Sequence, residues 1–129
     1  DAIYAGKWHH LAGVFKSRSA LLYLDGRLIG RESVGSLSKP SQYPLLIGAE
    51  VTSQPVGSLY FTGRLDGIKI SSDAKYDSDS FTPFRRHLPD RFTELLLNMD
   101  DLRVLWLYDE SSNKAHPRIL GGAMIQAEY

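Results

Sequence analysis

The stretch that decides the fold is Ala20-Leu21-Leu22-Tyr23-Leu24-Asp25-Gly26-Arg27-Leu28-Ile29-Gly30. Two apolar runs flank Asp25-Gly26. A type I′ hairpin turn needs positive φ at both central positions, which aspartate tolerates and glycine prefers, so Asp-Gly in this setting is the strongest short hairpin signal. The sequence therefore predicts an antiparallel hairpin turning at residues 25–26. Upstream, Gly6-Lys7-Trp8-His9-His10-Leu11-Ala12-Gly13-Val14-Phe15 is rich in aromatic and β-branched residues and predicts a half-buried strand. Residues 16–19 form the polar turn between the two.

Outward from this core, residues 33–43 hold serines, Gly35 and Pro40 and read as loop. Residues 44–49, Pro-Leu-Leu-Ile-Gly-Ala, read as a short apolar strand of a sandwich core. Residues 53–58 are loop, and residues 59–70 the next strand. Along it the apolar parity changes between Phe61/Leu65 and Ile68/Ile70, and a bulge near Asp66-Gly67 would reconcile the two. A polar connection spans residues 71–83. Phe92, Leu95, Leu96 and Met99 then fall at helical spacing behind Asp90, a candidate first-turn cap, which predicts one short helix near residues 90–98. Residues 102–108 read as a buried strand, 109–114 as a polar turn and 118–127 as a weaker strand. The sum is an all-β, antiparallel β-sandwich of jelly-roll type forming a single domain over residues 1–129.

Composition excludes several classes. Fifteen basic and fifteen acidic residues leave no net charge, so no basic excess indicates nucleic acid and no acidic run indicates a solvating tail. Cysteine is absent, which removes disulfides, thiolate metal sites and cysteine nucleophiles. No apolar run approaches the roughly 18 residues of a membrane-inserted helix. There is no Walker loop, no dinucleotide fingerprint, no His-Glu-x-x-His and no Gly-x-Ser-x-Gly elbow. The chain begins Asp1-Ala2-Ile3-Tyr4 rather than with Met, and is expected to be a fragment of a larger protein.

Three stretches in order resemble the laminin-G-like jelly-roll family of the concanavalin A-like superfamily, bacterial type. Trp8 to Phe15 with Leu22-Tyr23-Leu24-Asp25-Gly26 is similar to its tryptophan-histidine strand and LYLDG hairpin. Pro44 to Ala49 is similar to its PLxIG strand, and Phe61 to Ser71 to its following strand. Asp79-Ser80-Phe81-Thr82-Pro83 resembles the exit of many bacterial members. Residues 104–113 and 118–123 resemble a block that usually opens such a domain. Two readings of that block stand: residues 102–129 return to complete the sheets of this domain, which is favoured, or they begin another.

The resemblance implies a non-catalytic recognition module for glycan or protein, with calcium as the admissible cofactor, association with other domains of its parent, and an extracellular or periplasmic setting. The rival is a structural or assembly spacer without a small ligand. A degenerate glycoside hydrolase is the weakest alternative, because hydrolases of this superfamily carry a Glu-x-Asp-x-x-Glu triplet that does not occur here.

Candidate residues follow. Tyr43 and Tyr60, beside loops, are the candidate ligand platforms, whereas Trp8 and Trp106, in apolar strands, read as core. Asp73, Asp77 and Asp79 share one connection and are the candidate calcium ligands, set against a plain reading as solvated turn residues. Asp109, Glu110 and Asn113 form a second acidic turn, read as solvated. His9 and His10 are adjacent and in a strand face opposite sides, which disfavours a shared metal; one is expected packed and one solvated.

Overall fold

The computed structural model describes residues 3–36, 43–50, 59–100 and 106–126. Five strands run β1 (Leu11–Lys16), β2 (Ser19–Leu24), β3 (Arg27–Ser33), β4 (Ile68–Ser71) and β5 (Thr93–Leu97). They form an antiparallel sheet in the order β1-β2-β3 and a second antiparallel pair, β4-β5. The architecture is an all-β sandwich, and no helix occurs among the described residues.

Both hairpin turns use the mirror-image geometry that suits twisted strands. Ser17 and Arg18 have φ of 50° and 61°, and Asp25 and Gly26 have φ of 50° and 79°. The second is the turn the sequence predicts. In β3 an extra residue, Ile29, breaks the register between Leu22/Gly30 and Tyr23/Leu28. The inner face of β2 buries Leu21 and Tyr23. Tyr23 donates its hydroxyl to the Ser78 carbonyl at 2.9 Å, and its ring meets Tyr76 and Phe81 edge-on. Tyr76 and Phe81 stack at 3.6 Å. These rings hold the connection of residues 76–81 against the sheet, where Phe81 N–H reaches the Gly26 carbonyl (2.8 Å) and Leu28 N–H the Asp79 carbonyl (2.9 Å).

Several elements differ from the sequence-based expectation. Residues 90–98 are not a helix. Asp90 does cap a turn, accepting Phe92 N–H at 2.9 Å, but Thr93–Leu97 then pairs with Ile68–Ser71. Leu95, Leu96 and Leu97 are buried consecutively, so both faces of the segment are covered, which a strand achieves and a one-sided helix does not. Residues 44–49 form no strand, and Leu45 is exposed. Gly48, at φ 77°, turns the chain out of the extended region, and its carbonyl accepts Phe61 N–H. Of residues 59–70, only the end is strand: Leu59 and Gly67 take positive φ, and the register irregularity sits between Ile70 and Ser71 rather than at Asp66-Gly67. Trp8 and Trp106 are exposed, not core. The strand expected over residues 102–108 lies largely outside the described residues. Near its end Trp106 bridges Arg118, the single bridge among the described residues of the weaker strand expected over residues 118–127.

Candidate functional site

Two of the three aspartates expected to bind calcium have their carboxylates paired with lysines. Asp73 pairs with Lys75 at 2.9 Å, and Asp77 with Lys16 at 2.8 Å, which holds the Asp77 carboxyl below its ordinary pKa. Asp79 contributes its backbone carbonyl to Leu28. Lys75 also binds Asp90 at 2.7 Å, and Lys69 lies 3.4 Å from the same carboxylate. The Lys75 bond and the Phe92 amide drive the Asp90 pKa well below the carboxylate range. Among the described residues no group of three acidic or histidine side chains is placed to hold a metal ion.

Tyr43 and Tyr60 stand outside the strands and are 47% and 62% exposed. Their segments are tied by the bond from Phe61 N–H to the Gly48 carbonyl. Both residues are solvent-exposed.

The histidines are both half-buried, so neither is the freely solvated one expected. His9 accepts Tyr4 N–H at its Nε2 (3.2 Å), which leaves Nδ1–H to donate to Asp25 at 2.8 Å. The same carboxylate accepts His10 N–H at 2.8 Å. The His9 bond, then the His10 amide, lower the Asp25 pKa. His10 sits edge-on to Phe81 and 6.1 Å from the His87 ring; burial lowers the pKa of both imidazoles.

The acidic turn at residues 109–113 is not solvated at its first residue. Asp109 is fully buried. Its carboxylate accepts the amides of Leu96, Ser111 and Ala115 and the Ser111 hydroxyl, all at 2.9 Å. Burial alone would raise its pKa, but these bonds outweigh it and hold the group ionised. Glu110 N–H donates to the Leu96 carbonyl, and Asn113 donates to the Glu94 carbonyl and carboxylate, so the turn is laced to β5.

Beside that turn, Arg86, Met99, Asp100, Tyr108 and Glu110 line an open cleft of about 230 Å³. Arg86 binds Glu110 at 3.0 Å and also pairs with Asp100. The buried Asn98 donates to Glu110 at 2.9 Å, and exchanges bonds with the His87 backbone through its oxygen and nitrogen. Tyr108 stacks on His116 at 5.1 Å, with the Lys114 ammonium 5.3 Å from its ring. The cleft is smaller than the roughly 300–1,000 Å³ usual for small-molecule sites, so it could take one ring of a larger ligand. The sequence marks Glu110 as part of an acidic turn but not its pairing with Arg86, because the two are 24 positions apart and nothing local joins them.

The antiparallel sheets place the chain in the class of all-β sandwich proteins. The laminin-G family model, described as concanavalin A-like lectin/glucanases superfamily, matches residues 1–79, and the chain belongs to that family. Comparison with curated proteins and with solved structures finds no match.

Proposed function

We propose that this domain is a non-catalytic recognition module that binds a carbohydrate or a protein surface. The observation that carries the reading is the exposure of Tyr43 and Tyr60 on segments outside the strands. A solvent-exposed tyrosine offers a large apolar face with a polar tip, at low cost in side-chain entropy. Membership of a lectin-like family points the same way.

The commitments of the carboxylates support the non-catalytic part. Asp25, Asp73, Asp77, Asp90 and Glu110 are tied to histidine, lysine or arginine, and Asp109 is buried among amides. Retaining hydrolysis needs two carboxyls about 5 Å apart and available to substrate. Calcium is a separable part of the reading, since an ion bound by Asp73 and Asp77 would have to displace Lys75 and Lys16. Residues 109–126 belong to the same domain on this reading, supported by the bonds that join Asp109, Glu110 and Asn113 to β5.

The test is a glycan array and a protein-ligand screen on the purified chain, run with calcium and with chelator. Binding that Tyr60→Ala or Tyr43→Ala weakens supports the proposal. Binding indifferent to both removes the tyrosines as the site, and no binding to either panel, or turnover of a glucan panel, overturns the proposal. Chelator-insensitive binding and melting remove calcium alone. The assembly reading has its own observation, the exposed apolar face of β1 and β2.

A further inference from the structure

Leu-Asp-Gly occurs twice in the chain, as Leu24-Asp25-Gly26 and as Leu65-Asp66-Gly67. An aspartate followed by glycine is prone to ring closure, because glycine has no side chain to keep its amide nitrogen away from the aspartyl carboxyl. The structure treats the two pairs oppositely. Asp25 is pinned: its carboxylate accepts His9 Nδ1–H and His10 N–H, both at 2.8 Å. Those bonds hold the group ionised, whereas ring closure needs the neutral carboxyl. Gly26 is buried against the Phe81 carbonyl, so the Asp25–Gly26 peptide cannot turn toward the carboxyl without breaking that packing.

Asp66-Gly67 has none of these restraints. Asp66 is exposed, precedes β4 rather than lying in it, and makes no hydrogen bond or ion pair with a described residue. Its carboxylate acts on the His87 ring through space only. Gly67 takes φ 59°, and a methyl group there would come no closer than 3.7 Å to its nearest neighbour, the His87 ring, so the peptide has room to turn. The Gly67 carbonyl accepts from that ring, while the Gly67 N–H, whose nitrogen is the nucleophile, donates to no described residue.

We propose that Asp66-Gly67 is a site of spontaneous covalent modification, at which the main chain reroutes through the aspartate side chain to give isoaspartate. The Gly67 nitrogen loses its proton and attacks Cγ of the neutral Asp66 carboxyl. The N–Cγ bond forms, the Cγ–OH bond breaks, and the proton and hydroxyl leave as water. A water molecule then opens the five-membered imide. Breaking N–Cγ restores aspartate; breaking the bond from the nitrogen to the Asp66 main-chain carbonyl carbon leaves the chain running through Cγ. Water is the sole co-reactant, and the mass is unchanged. The product carries an extra methylene in the main chain just ahead of β4, whose first residue, Ile68, pairs with Leu97. Ageing is thereby written into the entry of the β4-β5 pair, whatever the domain binds.

The test ages the folded chain for weeks at physiological temperature and near-neutral pH, then maps it with trypsin. Cleavage after Arg18, Arg27, Arg64 and Lys69 delivers the two pairs in separate peptides, residues 19–27 and 65–69. The expected result is a second, equal-mass form of the 65–69 peptide, identified as isoaspartate by electron-transfer fragmentation. It is expected to accumulate several times faster than its counterpart in residues 19–27. In guanidinium, where the fold no longer restrains Asp25, the two rates are expected to converge. Equal rates in the folded chain, a lead for Asp25, or no isoaspartate at residue 66 overturns the proposal; a gap that persists in guanidinium overturns its structural cause. D66E cannot close the five-membered ring and, with an exposed side chain, is expected to fold as the parent does. The aged parent is expected to melt below the fresh parent, and aged D66E with fresh D66E. Equal losses in both overturn the effect on β4.

Discussion

Gly26 carries the Phe81 backbone directly against it: the Phe81 amide donates to the Gly26 carbonyl at 2.8 Å, and a methyl group at Gly26 would collide with the Phe81 carbonyl oxygen and Pro83. Gly26 also takes φ 79°. Two separate demands thus fall on one residue, the turn's handedness and the approach of the connection that ends β3's neighbourhood. Gly26→Ala is expected to lose about 2–4 kcal/mol, from a left-handed alanine and an overpacked contact together. Urea denaturation measures it. A loss below about 0.5 kcal/mol, the usual range for exposed sites, would mean that Phe81 does not pack there.

Asp109 gives the second prediction. Its carboxylate fills with four donors, so Asp109→Asn leaves one oxygen to accept while an amide nitrogen faces donors. The expected cost is about 2–4 kcal/mol, because a buried donor left against a donor loses its solvation without compensation. Thermal melting checks it, and Ser112→Ala, on the exposed side of the same turn, serves as the near-neutral control. An unchanged melting point for Asp109→Asn would show that the turn does not hold β5.

The hairpin was legible to the residue, because Asp25-Gly26 encodes its turn locally and the alternation of Leu21 and Tyr23 encodes the inner face. The end of the strand at Ile68–Ser71 was legible too. The segment after Asp90 was misread for a physical reason. Phe92, Leu95, Leu96 and Met99 fit a helical stripe, but a short apolar run fits a doubly buried strand equally well. What decides between them is Ile68–Ile70, some 25 residues earlier, waiting to pair. Asp109 and Glu110 look solvated for the same reason. Their partners are the Leu96 backbone and the Arg86 side chain, which no local pattern announces. Tyr43 and Tyr60 are exposed, as rings flanking serine-, glycine- and proline-containing sequence are expected to be.

The pair His10 and His87 makes stability pH-dependent near neutrality. Burial lowers both pKa values; Asp25 opposes this at His10, while at His87 the neighbouring His10 and Lys69 add to it against the Gly67 carbonyl and Asp66. Below the unfolded value of about 6.5 the unfolded chain binds protons that the folded one resists. Stability is therefore fully present above that value and lost as pH falls toward the folded values. The melting temperature is expected to drop between about pH 7.5 and 5.5, above the range in which the carboxylates titrate. His10→Phe should flatten the profile. Its ring can keep the edge contact with Phe81, and the buried Nδ1 that it removes has no partner among the described residues to strand. An equally steep profile in the variant would assign the dependence to other groups.

Tyr60 and Tyr43 carry the functional prediction. Both rings are largely solvent-facing, so truncating either is expected to change stability by no more than about 0.5 kcal/mol. Aromatic residues dominate binding hot spots, where truncation costs about 2 kcal/mol or more, roughly a thirtyfold loss of affinity. Tyr60→Ala and Tyr43→Ala should thus separate binding from folding, which a core residue such as Tyr23 could not do. Tyr60→Phe should keep most of the affinity if the ring face is what the ligand meets, and lose it if the hydroxyl is. Calorimetry against whichever glycan or protein the array identifies gives the answer. A ligand bound as tightly by both alanine variants would move the site to the Arg86–Glu110 cleft, where Glu110→Gln would then weaken it.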